Sequence, residues 1–152
     1  MKRMFLMLAL FAMAIVGSYA QEQALGWSLN YSTKNQNFGV GVKYRFYVAD
    51  YFRLEPSADY FFKNKEVSNW DVNCNLHFLF RAKDDFYVYP LVGASFAAFS
   101  VGPNDLNRLG LNLGGGFDWE FDRNWVATVE LKYQCLKDFG QAVFSAGIAY
   151  CF

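Results

Sequence analysis

From Leu25 to the final Phe152, apolar and polar residues alternate with a period of two, in segments separated by short clusters of Asn, Asp, Gly and Lys. A period of two puts successive side chains on opposite faces of a strand, so the pattern predicts β-structure and leaves no stretch with the 3.6-residue period of a helix. The first segment sets Leu25, Trp27, Leu29 and Tyr31 against Gly26, Ser28 and Asn30, and the second sets Phe38, Val40, Val42, Tyr44 and Phe46 against Gly39, Gly41, Lys43 and Arg45. In the third, Phe52, Leu54, Pro56, Ala58, Tyr60 and Phe62 oppose Arg53, Glu55, Ser57 and Asp59. In the fourth, Trp70, Val72, Cys74, Leu76, Phe78 and Phe80 oppose Asp71, Asn73, Asn75, His77 and Arg81. The fifth predicts Phe86, Val88, Pro90, Val92, Ala94 and Phe96 on the apolar face and Tyr87, Tyr89 and Leu91 on the other. The sixth runs from Leu109 to Phe121 with Asn112, Asp118 and Glu120 on its polar side, and the seventh from Trp125 to Cys135 with Thr128, Glu130, Lys132 and Gln134 there. The eighth sets Ala142, Phe144, Ala146, Ile148, Tyr150 and Phe152 against Ser145, Gly147, Ala149 and Cys151.

The first twenty residues follow other rules. Lys2 and Arg3 give a positive start, Phe5 to Val16 is an apolar run, and Ser18-Tyr19-Ala20 offers the small residues at which a secretory signal is cut. The run falls short of the roughly 20 residues of a spanning helix, so residues 1–20 read as a signal peptide and 21–152 as one domain. Gln21 rather than Cys follows the cut, which disfavours a lipid anchor. Without Lys2 and Arg3, 12 basic residues face 14 acidic ones, a net charge of −2, and the basic patch that nucleic acid would require is missing. Cys74, Cys135 and Cys151 are an odd, widely spaced set in an exported chain, which argues against a disulfide framework or a zinc site.

Alternation alone does not separate a soluble sandwich or barrel from a membrane barrel; the character of the two faces does. Here the polar face is thin, dominated by Gly, Ser and Asn, which suits the narrow lumen of an eight-stranded barrel. The apolar face carries rings near both strand ends, as with Phe38 and Phe46, Trp70 and Phe80, or Trp125 and Tyr133, matching the two aromatic girdles of outer-membrane barrels. Ten-residue strands have the length that a tilted crossing needs. The expected fold is therefore all-β, an eight-stranded antiparallel up-and-down transmembrane barrel. Ala49-Asp50, Lys83 to Asp85 and Asp122 to Asn124 read as tight periplasmic turns, and Thr33 to Asn37, Lys63 to Asn69, Gly102 to Asn107 and Lys137 to Gly140 as longer outer loops.

Ala146, Ile148, Tyr150 and Phe152, apolar residues at steps of two ending on a terminal aromatic, resemble the assembly signal of the small outer-membrane β-barrel family that includes OmpX-like proteins and OmpA-like transmembrane domains. Tyr89-Pro90-Leu91-Val92-Gly93-Ala94 and Leu113-Gly114-Gly115-Gly116-Phe117-Asp118 are similar to strand segments of that family. The resemblance spans the whole mature chain. It implies a Gram-negative outer-membrane location, contact with outer-membrane lipids and recognition of the terminal stripe by the barrel-assembly machinery.

Candidate chemistry is sparse. His77 is the only histidine, and its same-face neighbours are Asn75 and Leu79, so the His-Ser arrangement of a lipid-deacylating barrel is missing. Gly114-Gly115-Gly116 lies mid-strand without a following helix, which removes the phosphate-loop reading. The inward phase collects Lys43, Arg45, Arg53, Arg81 and Lys132 with Glu55, Asp59, Asp71, Asp118, Glu120 and Glu130, five bases and six acids. Near balance predicts a closed lumen network of ion pairs rather than the single-sign lining of an ion path, with Asp118 or Glu120 expected as the partner of Lys132. The sequence thus reads as a monomeric, non-enzymatic barrel without a cofactor or metal, with a structural or interaction role in the envelope. A small channel or transporter is the alternative, and a barrel-embedded lipid-modifying enzyme the second.

Overall fold

The structure, a computed structural model, describes residues 22–136 and 139–152 together with Met7. Apart from Met7, the segment expected to be a signal peptide lies outside the described residues. Eight antiparallel strands follow one another around a closed wall: β1 Glu22–Ser32, β2 Asn37–Tyr47, β3 Phe52–Asn64, β4 Val67–Phe78 continuing beyond Leu79 as Phe80–Lys83, β5 Phe86–Val101, β6 Asn104–Glu120, β7 Trp125–Leu136 and β8 Phe139–Cys151. Each pairs with its sequence neighbours, and β1 closes the wall against β8 with Trp27 opposite Ile148. Closure leaves no strand without two neighbours, the condition for placing a sheet in hydrocarbon, where unpaired peptide groups cost several kcal/mol each.

The predicted phase holds in all eight strands, including β5, where Tyr89 and Leu91 are buried and Val88, Pro90 and Val92 exposed. Phe46 keeps its outward phase but is covered on the outside, with the Tyr44 ring 4.7 Å away. The outer surface presents Trp27, Leu29, Val40, Trp70, Leu111, Trp119, Val129 and Ile148. So broad an apolar surface is a liability in water and the natural boundary of a barrel in lipid. Rings pair near both rims: Phe52–Phe78 and Trp125–Tyr150 edge to face and Phe86–Trp119 and Tyr150–Phe152 stacked at the end with the chain terminus, Tyr60–Phe62 edge to face and Tyr31–Phe38 and Trp70–Phe96 tilted at the other.

Among the described residues the expected contrast in loop length is not found; Lys137 and Asp138, in the fourth loop expected to be longer, lie outside them. Asn64 pairs with Val67 and Val101 with Asn104, so Lys65-Glu66 and Gly102-Pro103 are two-residue turns, while Thr33 to Gln36 is a four-residue turn. At the other rim, Val48 to Tyr51 and Phe121 to Asn124 are just as long. The residues read as loop at Asn104 to Asn107 instead extend β6 to 17 residues. The extended hairpin needs a sharp reversal, and Gly102 supplies it at φ +57°, where a side chain would be strained. The three cysteines are free; Cys135 pairs with Gly140 and Cys151 with Ala24, too far along the wall to be joined.

Candidate functional site

Alternation turns one side chain in two toward the barrel axis, and the narrow lumen forces those side chains to fill the space among themselves. They do so in layers. Nearest the termini, β2 and β3 contribute Lys43, Arg45, Arg53 and Glu55, β4 His77, β5 Tyr89, β6 Asp118 and β7 Thr128 and Glu130. Arg45 Nε donates to Glu55 Oε2 at 2.7 Å and its Nη2 to Thr128 Oγ1 at 3.0 Å. Arg53 Nη1 donates to Asp118 Oδ2 at 2.5 Å, and Tyr89 donates its hydroxyl to Glu130 Oε2 at 2.8 Å. The His77 ring stacks on Tyr89 at 4.3 Å between centroids, with the Arg53 guanidinium 4.7 Å from the centre of the same tyrosine. Every polar member of this layer is buried, so its charges are held by pairing rather than by bulk water.

The next layer is built of amides. Asn30 donates to Asp59 Oδ1 at 2.7 Å, Asn73 to Asp71 Oδ1 at 2.7 Å, Asn112 to Asn73 and Asn75, and Gln134 to Asp71, Asn73 and Ser95. Lys132 Nζ sits 3.7 Å from Asp59 Oδ2. Beyond the amides a mixed layer fills the far end, where Ala97, Phe99 and Leu136 form a cluster, Phe61 and Val143 are fully buried, and Asn37 donates to Asn69 and Ser32 to Gln141 among them. At the terminus end the lumen widens into a vestibule of about 470 Å³, walled by Tyr47, Tyr51 and Tyr87 and reaching inward to Arg53 and Asp118.

Nine of the eleven charged residues expected in the lumen are buried there: Lys43, Arg45, Arg53, Glu55, Asp59, Asp71, Asp118, Glu130 and Lys132. Two are not. Arg81, with 61% of its side chain exposed, pairs with Asp84 at the rim, and Glu120 lines the mouth of the vestibule. Both have the inward phase but lie one step beyond the packed layers. The expected partner of Lys132 also changes. In register it faces Gly114 on β6 and Val143 on β8, so no carboxylate stands beside it, and it reaches across the lumen to Asp59 on β3. The amides and Tyr89 were legible as inward-facing polar groups; counting only charges left them out of the network.

Glu55, His77 and Glu130 place three potential ligand atoms within 4.8 Å of one another, the arrangement a metal ion would need. The chemistry of His77 does not fit one. Arg53 Nε at 3.1 Å and Nη2 at 2.7 Å both approach Nδ1, and a guanidinium has only donors to offer. Nδ1 is therefore an acceptor, and the neutral ring carries its proton on Nε2, the nitrogen that would have to bind the metal. The residues beside His77 on the inward face are Asn75 and Leu79, neither of them a nucleophile.

A family model described as outer membrane protein beta-barrel domain matches residues 6–152. Among solved structures, the N-terminal β-barrel domain of Pseudomonas aeruginosa OprF superposes with a TM-score of 0.76 at 14% identity, covering 88% of this chain and 98% of that one. Neisserial surface protein A gives 0.65 at 14% identity, with 85% and 94% covered, and the attachment invasion locus protein Ail of Yersinia pestis gives 0.58 at 18% identity, with 86% and 97% covered. At these identities the likeness is one of fold. No curated protein matches the chain by sequence.

Proposed function

This chain belongs to the outer membrane protein β-barrel domain family, and on that premise we propose that it is a non-conducting barrel that serves the Gram-negative envelope as a structural and interaction element, working through its rims. The observation that carries this reading is the filled lumen. From the vestibule floor upward, an ion-pair layer, an amide layer and a mixed layer of apolar and uncharged polar side chains follow without a lining of one charge sign. A hydrated ion would have to break several buried pairs at once, each break leaving an uncompensated charge.

The rims differ in charge. Around the turns at the far end, Lys34, Lys63, Lys65 and Arg108 outnumber Glu66 and Asp105 among the described residues. An excess of base there suits the phosphates and sulfates of anionic sugars and lipids. The Ail protein of Yersinia pestis, similar in fold, has been described in complex with the heparin analogue sucrose octasulfate. The terminal stripe Ala146, Ile148, Tyr150 and Phe152 faces outward, available to the assembly machinery and then to lipid. Planar-bilayer recording on the refolded mature chain tests the closed lumen. No discrete openings above the protein-free baseline are expected, and reproducible single-channel steps at neutral pH would replace this reading by that of a small channel.

A further inference from the structure

On the terminus side of the Arg53–Asp118 pair, the barrel mouth is neither packed nor balanced in charge. The strand phase that fills the lumen continues past the last buried layer, so Glu22 on β1, Tyr47 on β2, Tyr87 on β5 and Glu120 on β6 line the vestibule of about 470 Å³. In register Glu22 faces Tyr47 and Tyr87 faces Asp118, which sets phenol rings beside carboxylates. The turn between β2 and β3 adds Asp50 and Tyr51, and Leu79 and Val126 give the wall an apolar surface. Both bases that line this space are already engaged. Arg53 holds Asp118 at 2.5 Å, while Arg81 turns to the rim, its Nη2 3.1 Å from the Asp84 carbonyl oxygen and 3.7 Å from Asp84 Oδ1. Glu22, Asp50 and Glu120 make no ion pair among the described residues, and Glu120 stands within electrostatic reach of Glu22, Asp85 and Asp118.

We propose that this vestibule is a binding site for a linear organic cation, one that carries ammonium groups along an alkyl chain. A recess of this volume is in the range that encloses small ligands. A cleft whose unpaired charges share one sign concentrates ions of the other, so the three free carboxylates select a cation. The rest of the wall selects its kind. Tyrosine rings attract an ammonium over their faces, and Leu79 and Val126 offer methylene groups a surface that a hydrated inorganic ion cannot use. The carboxylates stand on β1, on β6 and in the turn between β2 and β3, at separate places around the mouth, so a chain with several charges meets more than one of them and a single ammonium does not. The site goes beyond the closed-lumen reading without depending on it: single-channel steps would overturn that reading and leave the mouth as it is.

Spermidine titrated into the refolded mature chain in a non-ionic detergent, followed by calorimetry and by spectra of 15N-tyrosine, tests the site. Saturable binding is expected, with shifts at Tyr47, Tyr51 and Tyr87 and none at Tyr31 and Tyr60 on the other rim. Replacing Glu22→Gln together with Glu120→Gln should weaken spermidine about tenfold and Tyr87→Leu about threefold, whereas Glu66→Gln on the far rim should leave its affinity unchanged. Tyr51→Leu, in an exposed turn, takes the place of Tyr87→Leu if that variant does not refold. Butylamine and Mg2+ should bind more weakly than spermidine, and sulfate should leave the vestibule tyrosines in place. No saturable binding, unchanged affinity in the refolded vestibule variants, equal weakening by Glu66→Gln, butylamine or Mg2+ bound as tightly as spermidine, or sulfate shifts at Tyr47 and Tyr87 would each overturn the site.

Discussion

Lys132 shows what a single residue contributes to a filled lumen. Its ammonium, 3.7 Å from Asp59, is the cation in the layer where Asp59 and Asp71 stand opposite each other in register. Lys132→Met should strand two neighbouring carboxylates and lower stability by about 3 to 5 kcal/mol, read as a fall in the urea midpoint. Exposed Lys63→Met should change it by no more than about 0.5 kcal/mol. A Lys132→Met barrel more stable than its parent would mean that this side chain faces lipid. Gly116 is set by a different constraint, close approach. A Cβ there would come within 2.3 Å of the Tyr89 hydroxyl, and that ring is held between His77 and Glu130. Gly116→Ala should therefore cost about 1 to 3 kcal/mol by overpacking, and an unchanged midpoint would show that Tyr89 is free to move. The phase of such residues was legible in sequence, because period two fixes it. The partner of Lys132 was not, because it lies across the lumen and no pairing of adjacent strands encodes it.

At the scale of elements, the strands were read correctly in number and phase, while their ends were misread for a physical reason. Polar clusters such as Gly102 to Asn107 look like loops, but polar residues outside the apolar belt can continue a hairpin in water as readily as end it. The turn Lys65-Glu66 was illegible for the opposite reason. Its residues hold φ values of +48° and +67°, where Asn-Gly is the expected pair. Changing Lys65→Asn together with Glu66→Gly should raise stability by about 1 kcal/mol, read as a higher urea midpoint; a loss would mean that these side chains stabilise the turn by contacts of their own. The terminal stripe ends at Phe152, whose amide donates to Gln23 O at 3.0 Å while its ring stays largely exposed. Deleting Phe152 removes little buried structure, so refolding in detergent should persist while the amount inserted in cells falls. Equal insertion by the truncated and full chains would remove the assembly role from this residue.

For the molecule as a whole, the sequence was most informative where physics allows few solutions. An alternating chain with rings on one face and small polar groups on the other has to bury the polar face, and a closed eight-stranded wall with lipid outside does so. The charges it encloses, four bases and five acids, are buried across all eight strands' common interior, so opening the wall at one seam exposes ion pairs and lipid-facing rings together. Unfolding should then be all-or-none and resist detergent at room temperature. Electrophoresis of the outer-membrane fraction, with and without boiling in dodecyl sulfate, tests this most directly. The protein should be found in that fraction, in one folded band that shifts to the unfolded mobility only on heating; recovery as a stable soluble periplasmic monomer with a single heat-independent band would contradict a closed membrane barrel.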